Sequence, residues 1–186
     1  MKDSLLLLSS FLKNPKETGA IAPSSMFLTN EIVKNIKFEA SKSIVELGPG
    51  LGTFTKAILK KASPDTRLFC LEVNEKFCSH LAKNITDKRV TIIRAGAEKL
   101  NNNLKKLKIG KADCIVSGLP FLNFPEPKKR RILQEVKNSL SNKGKFILFQ
   151  YTNGLGKLLE SYFSKVSRTF VPVNIPCAFV YVCEKQ

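Results

Sequence analysis

Apolar runs and amphipathic stretches alternate along the chain from residue 43 to its end. The apolar runs predict seven strands, and helical spacing of apolar positions follows each of the first five. Repeated strand–helix units are typical of a largely parallel sheet with helices on both faces. The predicted strands are residues 43–47, 67–73, 90–94, 112–117, 145–151, 164–170 and 178–183, and the predicted helices are residues 53–61, 75–84, 98–106, 127–140 and 155–163.

The last two predicted strands have no helix between them. The segment that joins them, residues 168–178, carries Pro172 and Pro176 and is too short for a right-handed helical crossover. We therefore expect the final strand to run antiparallel to its neighbour. The sequence predicts a doubly wound α/β fold of roughly seven strands, mostly parallel, with the last strand antiparallel.

A different pattern precedes this core. Apolar residues recur at helical spacing in residues 4–13, which predicts an N-terminal amphipathic helix. Such a helix either packs on the domain as a lid or lies in a membrane interface, and both interpretations stay open. We accordingly divide the chain into an N-terminal helix and cap segment, residues 1–30, and one α/β domain, residues 31–186.

Charge narrows the choice of partners, because the 186 residues contain 31 Lys and Arg against 15 Asp and Glu, a formal net charge of +16. Nucleic acid and an anionic membrane surface both attract such a chain, since both offer dense phosphate. No apolar run is long enough to span a bilayer, and no secretory signal pattern is present, so we expect a cytoplasmic protein. The five cysteines lack metal-ligand spacing, and no metal site is predicted.

The strongest local signal is an apolar strand that runs into a glycine loop and then a helix. Its sequence is Ile44-Val45-Glu46-Leu47-Gly48-Pro49-Gly50-Leu51-Gly52-Thr53. Glycine lets the backbone approach a ligand closely. A dinucleotide fingerprint would need its third glycine at Thr53, and Gly52 stands one residue too early, which disfavours NAD or FAD. The acidic Glu46 before the loop suits a cationic amino group better than a pyrophosphate.

The spacing Glu46-x-Gly48-x-Gly50-x-Gly52 resembles the first motif of class I S-adenosylmethionine-dependent methyltransferases. In that family the loop lies under the methionine portion of the cofactor. Glu72 ends the second predicted strand about 20 residues past the glycines, where a carboxylate can accept hydrogen bonds from both ribose hydroxyls. The resemblance implies a Rossmann-like methyltransferase fold and S-adenosylmethionine as the cofactor.

The adenine position follows the third predicted strand. The family often has an aspartate there that faces the exocyclic amine, but Gly96 stands at this place. Either Glu98 or the backbone of Ala97 substitutes for it, and Glu98 is equally suited to capping the next helix. The resemblance implies cofactor contacts from Gly19, Ala20, Ile21, Glu46, Gly48, Pro49, Gly50, Gly52, Thr53, Glu72, Val73, Ala97, Glu98 and Ser117.

The methyl acceptor is expected at the end of the fourth predicted strand, where amino-group methyltransferases carry an Asn-Pro-Pro-aromatic type of segment. The corresponding residues here are Ser117-Gly118-Leu119-Pro120-Phe121. The resemblance makes Leu119, Pro120 and Phe121 catalytic candidates, with the ring of Phe121 stabilising a cationic nitrogen. The alternative is a rigid strand end with a packed Phe121. Glu98, Tyr151 or water would take the proton that the amine must lose.

Two further segments narrow the family. They are Gly19-Ala20-Ile21-Ala22-Pro23-Ser24-Ser25 and Ser117-Gly118-Leu119-Pro120-Phe121-Leu122-Asn123-Phe124-Pro125. Together they resemble bacterial phospholipid N-methyltransferases, and the likeness spans nearly the whole chain. It implies phosphatidylethanolamine or its methylated derivatives as the acceptor, at the inner face of the membrane. A phosphodiester headgroup, or equally a solvated helix face, fits the basic run Lys128-Lys129-Arg130-Arg131.

Two other functions stay open. The core is also similar to ribosomal RNA adenine dimethylases, and the charge suits nucleic acid, so an rRNA or DNA adenine N6-methyltransferase is the main alternative. Those enzymes add a C-terminal helical domain that these 186 residues do not contain. They also carry Asn-Leu-Pro-Tyr in place of Ser117-Gly118-Leu119-Pro120. A protein that binds the cofactor or a membrane without catalysis is the second alternative, because Gly96 replaces the expected acid.

Overall fold

The computed structural model describes residues 21–174 and 176–185, and only the backbone of residues 21–25. The amphipathic helix predicted for residues 4–13 lies outside this part of the chain, as do Gly19 and Ala20. The predicted contact at Ile21 falls on the first residue of a helix whose side chain is not described. The fold and the site are therefore built below from the remaining residues.

One sheet of seven strands organises the described chain. The strands are β1 (Ser43–Leu47), β2 (Arg67–Glu72), β3 (Val90–Arg94), β4 (Ala112–Ser117), β5 (Leu140–Gln150), β6 (Lys165–Val171) and β7 (Ala178–Glu184). Their order in the sheet is β3-β2-β1-β4-β5-β7-β6. The first five strands are parallel to their neighbours, and β7 runs antiparallel between β5 and β6. The predicted fold is confirmed, including the antiparallel last strand.

Helices join these strands and cover the sheet. They are α1 (Ile21–Val33), α2 (Thr53–Lys61), α3 (Glu75–Asn84), α4 (Leu100–Lys106), α5 (Glu126–Ser139) and α6 (Gly156–Glu160). The sequence pattern does not predict α1, and the boundary drawn after residue 30 falls inside it. Pro23 lies in the first turn of α1, where a missing N–H is tolerated, so the proline does not break the helix.

Several predicted boundaries differ from the structure. The helix predicted over residues 98–106 begins instead as a 3-10 turn, Ala97–Lys99, which leads into α4. The last helix is shorter than the predicted 155–163, because only Gly156–Glu160 is helical. β5 begins at Leu140, five residues before its predicted start at Lys145. β2 ends at Glu72, which leaves the following residue in the loop.

Two apolar clusters fill the spaces on either side of the sheet. Successive residues of a strand point to opposite faces, so Val45 and Leu47 pack with α4, α5 and α6, whereas Ile44 packs with α1 and α2. Each large aliphatic side chain that is fully buried in these clusters stabilises the fold by roughly 1.5–3 kcal/mol. Glu46 alternates with Val45 and Leu47, which directs its side chain towards α2.

The order of the strands reverses between β1 and β4, since β2 and β3 lie on one side of that pair and β5, β7 and β6 on the other. A crevice opens outside the carboxyl ends of parallel strands at such a reversal. We call this side of the sheet the carboxyl edge and the opposite side the amino edge. The glycine loop follows β1 at the carboxyl edge, and the segment that starts with Gly118 follows β4 beside it.

Candidate active site

The loop after β1 owes its shape to three glycines. Gly48, Gly50 and Gly52 have φ angles of 70°, 55° and 82°, a left-handed conformation that other residues rarely adopt. The N–H of Gly52 donates to the carbonyl of Pro49 at 2.9 Å and closes the turn before α2. A Cβ atom on Gly50 would meet nothing within 4 Å. A ligand can therefore approach the backbone at the tip of this loop.

Glu46 is completely buried in β1, two residues before the loop. Its Oε2 accepts a hydrogen bond from the Thr55 hydroxyl at 2.6 Å, and the Cys70 thiol donates to the same oxygen at 3.7 Å. Its Oε1 is buried with no partner among the described residues. Burial raises the pKa of Glu46 to about 7, although the Thr55 hydrogen bond opposes the shift. This unpaired oxygen can accept a hydrogen bond from the ammonium group of a ligand.

Glu72 ends β2 against the glycine loop and is almost fully buried. Its Oε2 accepts a hydrogen bond from the N–H of Gly50 at 3.2 Å, and its Oε1 accepts one from the N–H of Asn74 at 2.9 Å. An ionised carboxylate offers about four acceptor positions, so about two stay available. Glu72 thus stands beside the loop with acceptors left for the two hydroxyls of a ribose, where the cofactor prediction requires them.

The carboxylate of Glu98 occupies the space beside Gly96. A Cβ atom on Gly96 would lie 2.7 Å from Cδ and Oε1 of Glu98 and 2.8 Å from its Oε2. Glu98 lies in the first turn of Ala97–Lys99, and its side chain has no hydrogen-bond partner within the described part of the chain. The N–H of Asn101 in the first turn of α4 donates instead to Glu135 at 2.8 Å. Glu98 therefore offers an unpaired carboxylate, within the described residues, at the carboxyl end of β3.

The remaining predicted cofactor contacts differ in their exposure. Pro49 and Ala97 are buried, whereas Thr53 and Val73 are exposed beside the glycine loop. Ser117 is completely buried, and its hydroxyl accepts a hydrogen bond from the N–H of Leu119 at 3.2 Å. This hydrogen bond positions the segment that follows β4, and the predicted contact of Ser117 with the cofactor stays a prediction.

Gln150 also holds that segment in place. Its Nε2 donates to the carbonyl of Leu119 at 2.9 Å, and its Oε1 accepts a hydrogen bond from the N–H of Leu122 at 3.4 Å. The side chain is buried at the end of β5. Gln150 is not among the predicted site residues, although a polar residue at the end of a long apolar strand could have indicated it. Leu119 is half-buried and Pro120 is exposed, so both remain accessible beside the glycine loop.

Gly118 brings the segment after β4 into contact with the glycine loop. Its N–H donates to the carbonyl of Leu47 at 2.9 Å. A Cβ atom on Gly118 would lie 2.9 Å from the carbonyl oxygen of Gly48 and 3.9 Å from the ring of Phe54. No side chain fits at position 118 unless the backbone shifts.

Phe121 is wrong as an aromatic catalytic residue. Its side chain is completely buried, and its ring packs edge to face on Phe124 and Phe146, with centroids 6.2 Å away in both pairs. A ring enclosed in this way cannot present its face to a substrate. The packed phenylalanine, given above as the alternative, is the correct description.

Three other aromatic rings lie near the glycine loop and the end of β5. Phe54 in the first turn of α2 packs on Phe149 with ring centroids 5.7 Å apart, and Phe149 packs on Tyr151 at 5.5 Å. From the sequence alone, Phe54 and Phe149 are indistinguishable from ordinary core residues. Their closeness to the site depends on the order of the strands, which brings α2 next to the end of β5. Of the three rings, that of Tyr151 is half exposed.

Tyr151 is poorly suited to accept a proton. Burial raises the pKa of Tyr151 above its ordinary value, so the side chain is a neutral phenol at physiological pH. A phenol in this state can donate a hydrogen bond or offer its ring to a cation, but it does not act as a base. Of the two side chains predicted to take the proton, the structure therefore disfavours Tyr151.

The basic run opens α5 and is partly neutralised by its own helix. Lys129 and Arg130 pair with Glu126 at 3.5 Å and 3.1 Å. The ammonium group of Lys128 lies 4.7 Å above the centre of the Phe124 ring. Arg131 is exposed and has no ion pair within the described part of the chain. The carboxylate of Glu126 also relieves the unfavourable position of these cations at the start of a helix.

A cavity of about 480 Å³ lies at the amino edge of the sheet. The strands separate it from the glycine loop, so it is not the active site. It is lined by Lys37, Ala40, Ser41, Asp113, Cys114, Ser141, Asn142, Lys143 and Lys145. Across residues 21–174 and 176–185, no group of acidic, histidine and cysteine side chains has a metal-binding arrangement. None of the described helices is both long and apolar enough to span a bilayer.

This chain is similar to known proteins in both sequence and fold. The sequence model of the ribosomal RNA adenine dimethylase family matches residues 23–159. The ornithine lipid N-methyltransferase of Singulisphaera acidiphila is 32% identical over 185 residues, which cover 98% of this chain and 96% of that protein.

Two solved structures show the same fold at low sequence identity. A SAM-dependent methyltransferase from Aquifex aeolicus is similar with a TM-score of 0.66 and 15% identity, covering 87% of this chain and 92% of the other. The 1,6-didemethyltoxoflavin-N1-methyltransferase of Burkholderia thailandensis, solved with S-adenosylhomocysteine, is similar with a TM-score of 0.67 and 16% identity, covering 100% and 89%.

These likenesses and the geometry at the carboxyl edge define an S-adenosylmethionine-dependent methyltransferase. The chain belongs to the ribosomal RNA adenine dimethylase family. Its residues also fit the cofactor. Glu46 leaves an oxygen for the ammonium group, Glu72 leaves acceptors for the ribose, and Gly50 leaves open space between them.

Proposed function

We propose that this enzyme methylates the primary amine in the headgroup of a membrane lipid. The observation that supports it most is the 32% identity to an ornithine lipid N-methyltransferase over nearly the full length of both chains. Phosphatidylethanolamine, which the sequence resemblance implies, carries the same reactive group, a primary amine on an amphiphile. Both lipids, and their partly methylated derivatives, are therefore candidate acceptors.

In this proposal three acidic residues hold the cofactor by its polar groups. Oε1 of Glu46 accepts from the ammonium, the carboxylate of Glu72 accepts from the ribose hydroxyls, and that of Glu98 accepts from the adenine amine. Bound in this way, S-adenosylmethionine supplies a sulfonium methyl group, and a neutral thioether leaves when the acceptor nitrogen bonds to the methyl carbon. The protein needs no covalent nucleophile for this reaction; it aligns the reactants and excludes water.

The acceptor amine is placed at the carboxyl ends of β4 and β5. Leu119 provides an apolar wall there, and the rings of Phe54 and Tyr151 stabilise the positive charge that develops on nitrogen, by about 0.5–2 kcal/mol for each close contact. An ammonium must lose one proton before its lone pair can attack. Water takes this proton in our proposal, because the raised pKa of Tyr151 keeps its hydroxyl protonated and so unable to accept a proton at neutral pH.

A phosphate in the headgroup would be held by the first two turns of α5. Arg131 is exposed without an ion pair among the described residues, and Lys128 is exposed beside Phe124. Guanidinium groups bind phosphate through paired hydrogen bonds, which makes Arg131 the stronger candidate contact. Lys129 and Arg130 are already paired with Glu126 and contribute less.

The experiment uses purified protein, radiolabelled S-adenosylmethionine and vesicles that contain an anionic lipid with either phosphatidylethanolamine or an ornithine lipid. Chromatography of the lipids then reports the label. Labelled lipid in either arm supports the proposal and identifies the acceptor. Glu72→Gln serves as the matched control, because it should lose cofactor binding and labelling together. No labelled lipid in either arm, with cofactor binding intact by calorimetry, would contradict the proposal.

An RNA adenine N6-methyltransferase is the second candidate. The family match and the net charge of +16 favour it. Two observations count against it. The Ser117 hydroxyl accepts a hydrogen bond within its own loop, and Gly118 has no room for a side chain, so neither residue offers a side-chain amide to an adenine. Ribosomal RNA in a parallel reaction tests this candidate, and labelled RNA without labelled lipid would favour it.

A further inference from the structure

Large apolar side chains are exposed along the carboxyl edge of the sheet. Leu51 lies in the glycine loop, Val73 follows β2, Tyr151 follows β5, and Phe170 and Val173 lie at the end of β6. Their exposed fractions range from 46% to 67%. We call these five residues the apolar rim. Exposed apolar side chains gathered at one end of a molecule mark a surface that contacts another partner.

The register of the strands places the rim at one edge although its members are far apart in the sequence. Gln150 of β5 and Phe170 of β6 both lie opposite Phe179 of β7. β6 therefore ends at the same level as β5, which puts Phe170 and Val173 at the edge that also carries Tyr151. The glycine loop brings Leu51 to this edge at the switch point between β1 and β4.

The amino edge carries fewer exposed apolar side chains than the carboxyl edge. Leu107, which follows α4 on the way to the start of β4, is a large apolar residue exposed near that edge. Met26 and Phe27 are exposed on α1. No other large apolar side chain of the described residues is strongly exposed. Five of the eight exposed large apolar side chains of the described residues thus lie at the carboxyl edge.

Cations flank the rim, and two exposed acids near it are paired with arginines. Arg131 is exposed in the second turn of α5, and Lys128 is exposed in its first turn, shortly after the carboxyl end of β4. Glu126 in the same turn is paired with Arg130, and Glu75 at the start of α3 is paired with Arg94 at 3.0 Å. Exposed apolar side chains near cations that have no carboxylate partner among the described residues are complementary to an anionic lipid bilayer.

RNA fits this surface less well. Proteins that hold unpaired bases use stacked aromatic side chains along a basic groove. The aliphatic residues of the rim, Leu51, Val73 and Val173, cannot stack on bases, whereas they can enter the apolar part of a membrane interface. The observations therefore favour lipid as the partner.

We infer that the apolar rim docks this protein on an anionic bilayer, with the entrance to the active site facing the lipid headgroups. The inference rests on the proposed function, because a lipid substrate is what brings the site to the membrane. The rim side chains enter the interface, and Lys128 and Arg131 contact anionic headgroups. The amine of a lipid then reaches the site while its acyl chains stay in the bilayer.

Phe170→Ser and Val173→Ser test the inference, since both positions lie outside the cofactor and acceptor sites. Leu107→Ser is the matched control, because it removes exposed apolar surface near the amino edge. Flotation of the full-length protein with vesicles of phosphatidylglycerol and phosphatidylethanolamine measures binding. We expect each rim variant to bind about tenfold more weakly, which corresponds to about 1.4 kcal/mol. The control should bind within about twofold of the wild type.

A second measurement separates docking from catalysis. It follows methyl transfer to a short-chain amino lipid that is dissolved as monomers. Rim variants that lose vesicle binding but methylate the monomeric lipid at the wild-type rate support the inference. Rim variants that float like the wild type overturn it, as they would if another part of this chain covered the rim. A wild-type protein that floats but methylates no lipid contradicts the proposed function and leaves the docking inference standing.

Discussion

The carboxylate of Glu98 lies where a side chain on Gly96 would begin, 2.7 Å from the position of a Cβ atom on that glycine. The turn Ala97–Lys99 folds the longer glutamate back over the glycine. An acid is missing at position 96, yet a carboxylate stands at the same place. The two residues thus form a compensating pair at the carboxyl end of β3, next to the strand that carries Glu72.

Because Glu98 places its carboxylate beside Gly96, we expect an acid introduced at position 96 to restore the cofactor binding that is lost when Glu98 is removed. Glu98→Ala should weaken S-adenosylmethionine binding by about 10–100-fold, the effect of losing a hydrogen bond to a charged group worth roughly 1.5–3 kcal/mol. Gly96→Asp alone should also weaken binding, because its side chain would collide with Glu98. The double variant Gly96→Asp, Glu98→Ala should recover most of the affinity. Titration calorimetry of the four proteins measures these effects.

Glu39→Ala is the matched control for this series, because Glu39 is an exposed glutamate on another 3-10 turn, Phe38–Ala40. Its affinity for the cofactor should equal that of the wild type. A double variant that binds no better than Glu98→Ala would show that a carboxylate at this place does not contact the cofactor.

Glu46 predicts a dependence of stability on pH. The pKa of its carboxyl group is about 7 in the folded chain against an ordinary value of 4.5, so between these values the folded state binds more protons than the unfolded state. The free energy of unfolding therefore falls as pH rises from about 4.5 to above about 7, by up to about 3 kcal/mol. Glu46→Gln removes this loss. Urea unfolding should find the variant more stable than the wild type at pH 8 and of similar stability at pH 5.

The same substitution should weaken cofactor binding, because a neutral amide attracts an ammonium group less than a carboxylate does. We expect a loss of tenfold or more at pH 8 and, in the wild type, an affinity that rises as pH rises through about 7. Glu39→Gln on its exposed turn should change neither stability nor affinity. An equal change in stability at both pH values would mean that the ionisation of Glu46 is not the cause.

The main features of the fold are predictable from local patterns. The short apolar runs of the strands and the glycines after β1 each depend on a few neighbouring residues, which is why both were found in the sequence. The position of β7 between β5 and β6 depends on pairing over long separations, which no local pattern encodes. α1 escapes prediction because Pro23 near its start resembles a helix breaker.

Some residues of the candidate site are predictable from local patterns, and others are not. Glu46 and Glu72 sit at the ends of apolar strands, so their place beside the loop follows from the parallel arrangement alone. Which of the two rings, Phe121 or Phe54, lies at the site does not follow from the parallel arrangement. Both are aromatic residues just after a strand or loop, and only the packing decides that Phe121 is enclosed while Phe54 lies beside Gly118. Sequence spacing carries no information on which ring the core encloses.

We expect a large effect on stability when one methyl group is added at Gly52. It has a φ of 82°, and a Cβ atom there would lie 2.9 Å from Cδ2 of Leu81 and 3.0 Å from Cδ1 of Ile85. Gly52→Ala should therefore destabilise the fold by about 1–3 kcal/mol and disturb the cofactor loop. Gly110→Ala is the control, because its Cβ atom would meet nothing within 4 Å. Thermal unfolding and cofactor titration of both variants measure the difference, and equal effects of the two substitutions would contradict the prediction.

Tyr151 predicts a difference between its ring and its hydroxyl group. Its raised pKa keeps the hydroxyl protonated at neutral pH, so the hydroxyl should not take the proton of the acceptor amine. Tyr151→Phe should keep both the rate of methyl transfer and its pH profile. Tyr151→Leu should lower kcat by about tenfold, since the ring that faces the cationic nitrogen is lost.

Both variants should bind S-adenosylmethionine as the wild type does, which separates an effect on the acceptor from an effect on the cofactor. The rates are measured with saturating cofactor across the range from about pH 6 to pH 9, in which the raised pKa of Tyr151 keeps its hydroxyl protonated. If Tyr151→Phe shifts the acidic limb of the profile or removes it, the hydroxyl takes part in proton transfer, and water is then not the acceptor. If Tyr151→Leu keeps the wild-type kcat, the ring contributes nothing to the transition state and the aromatic wall must be assigned to Phe54 alone.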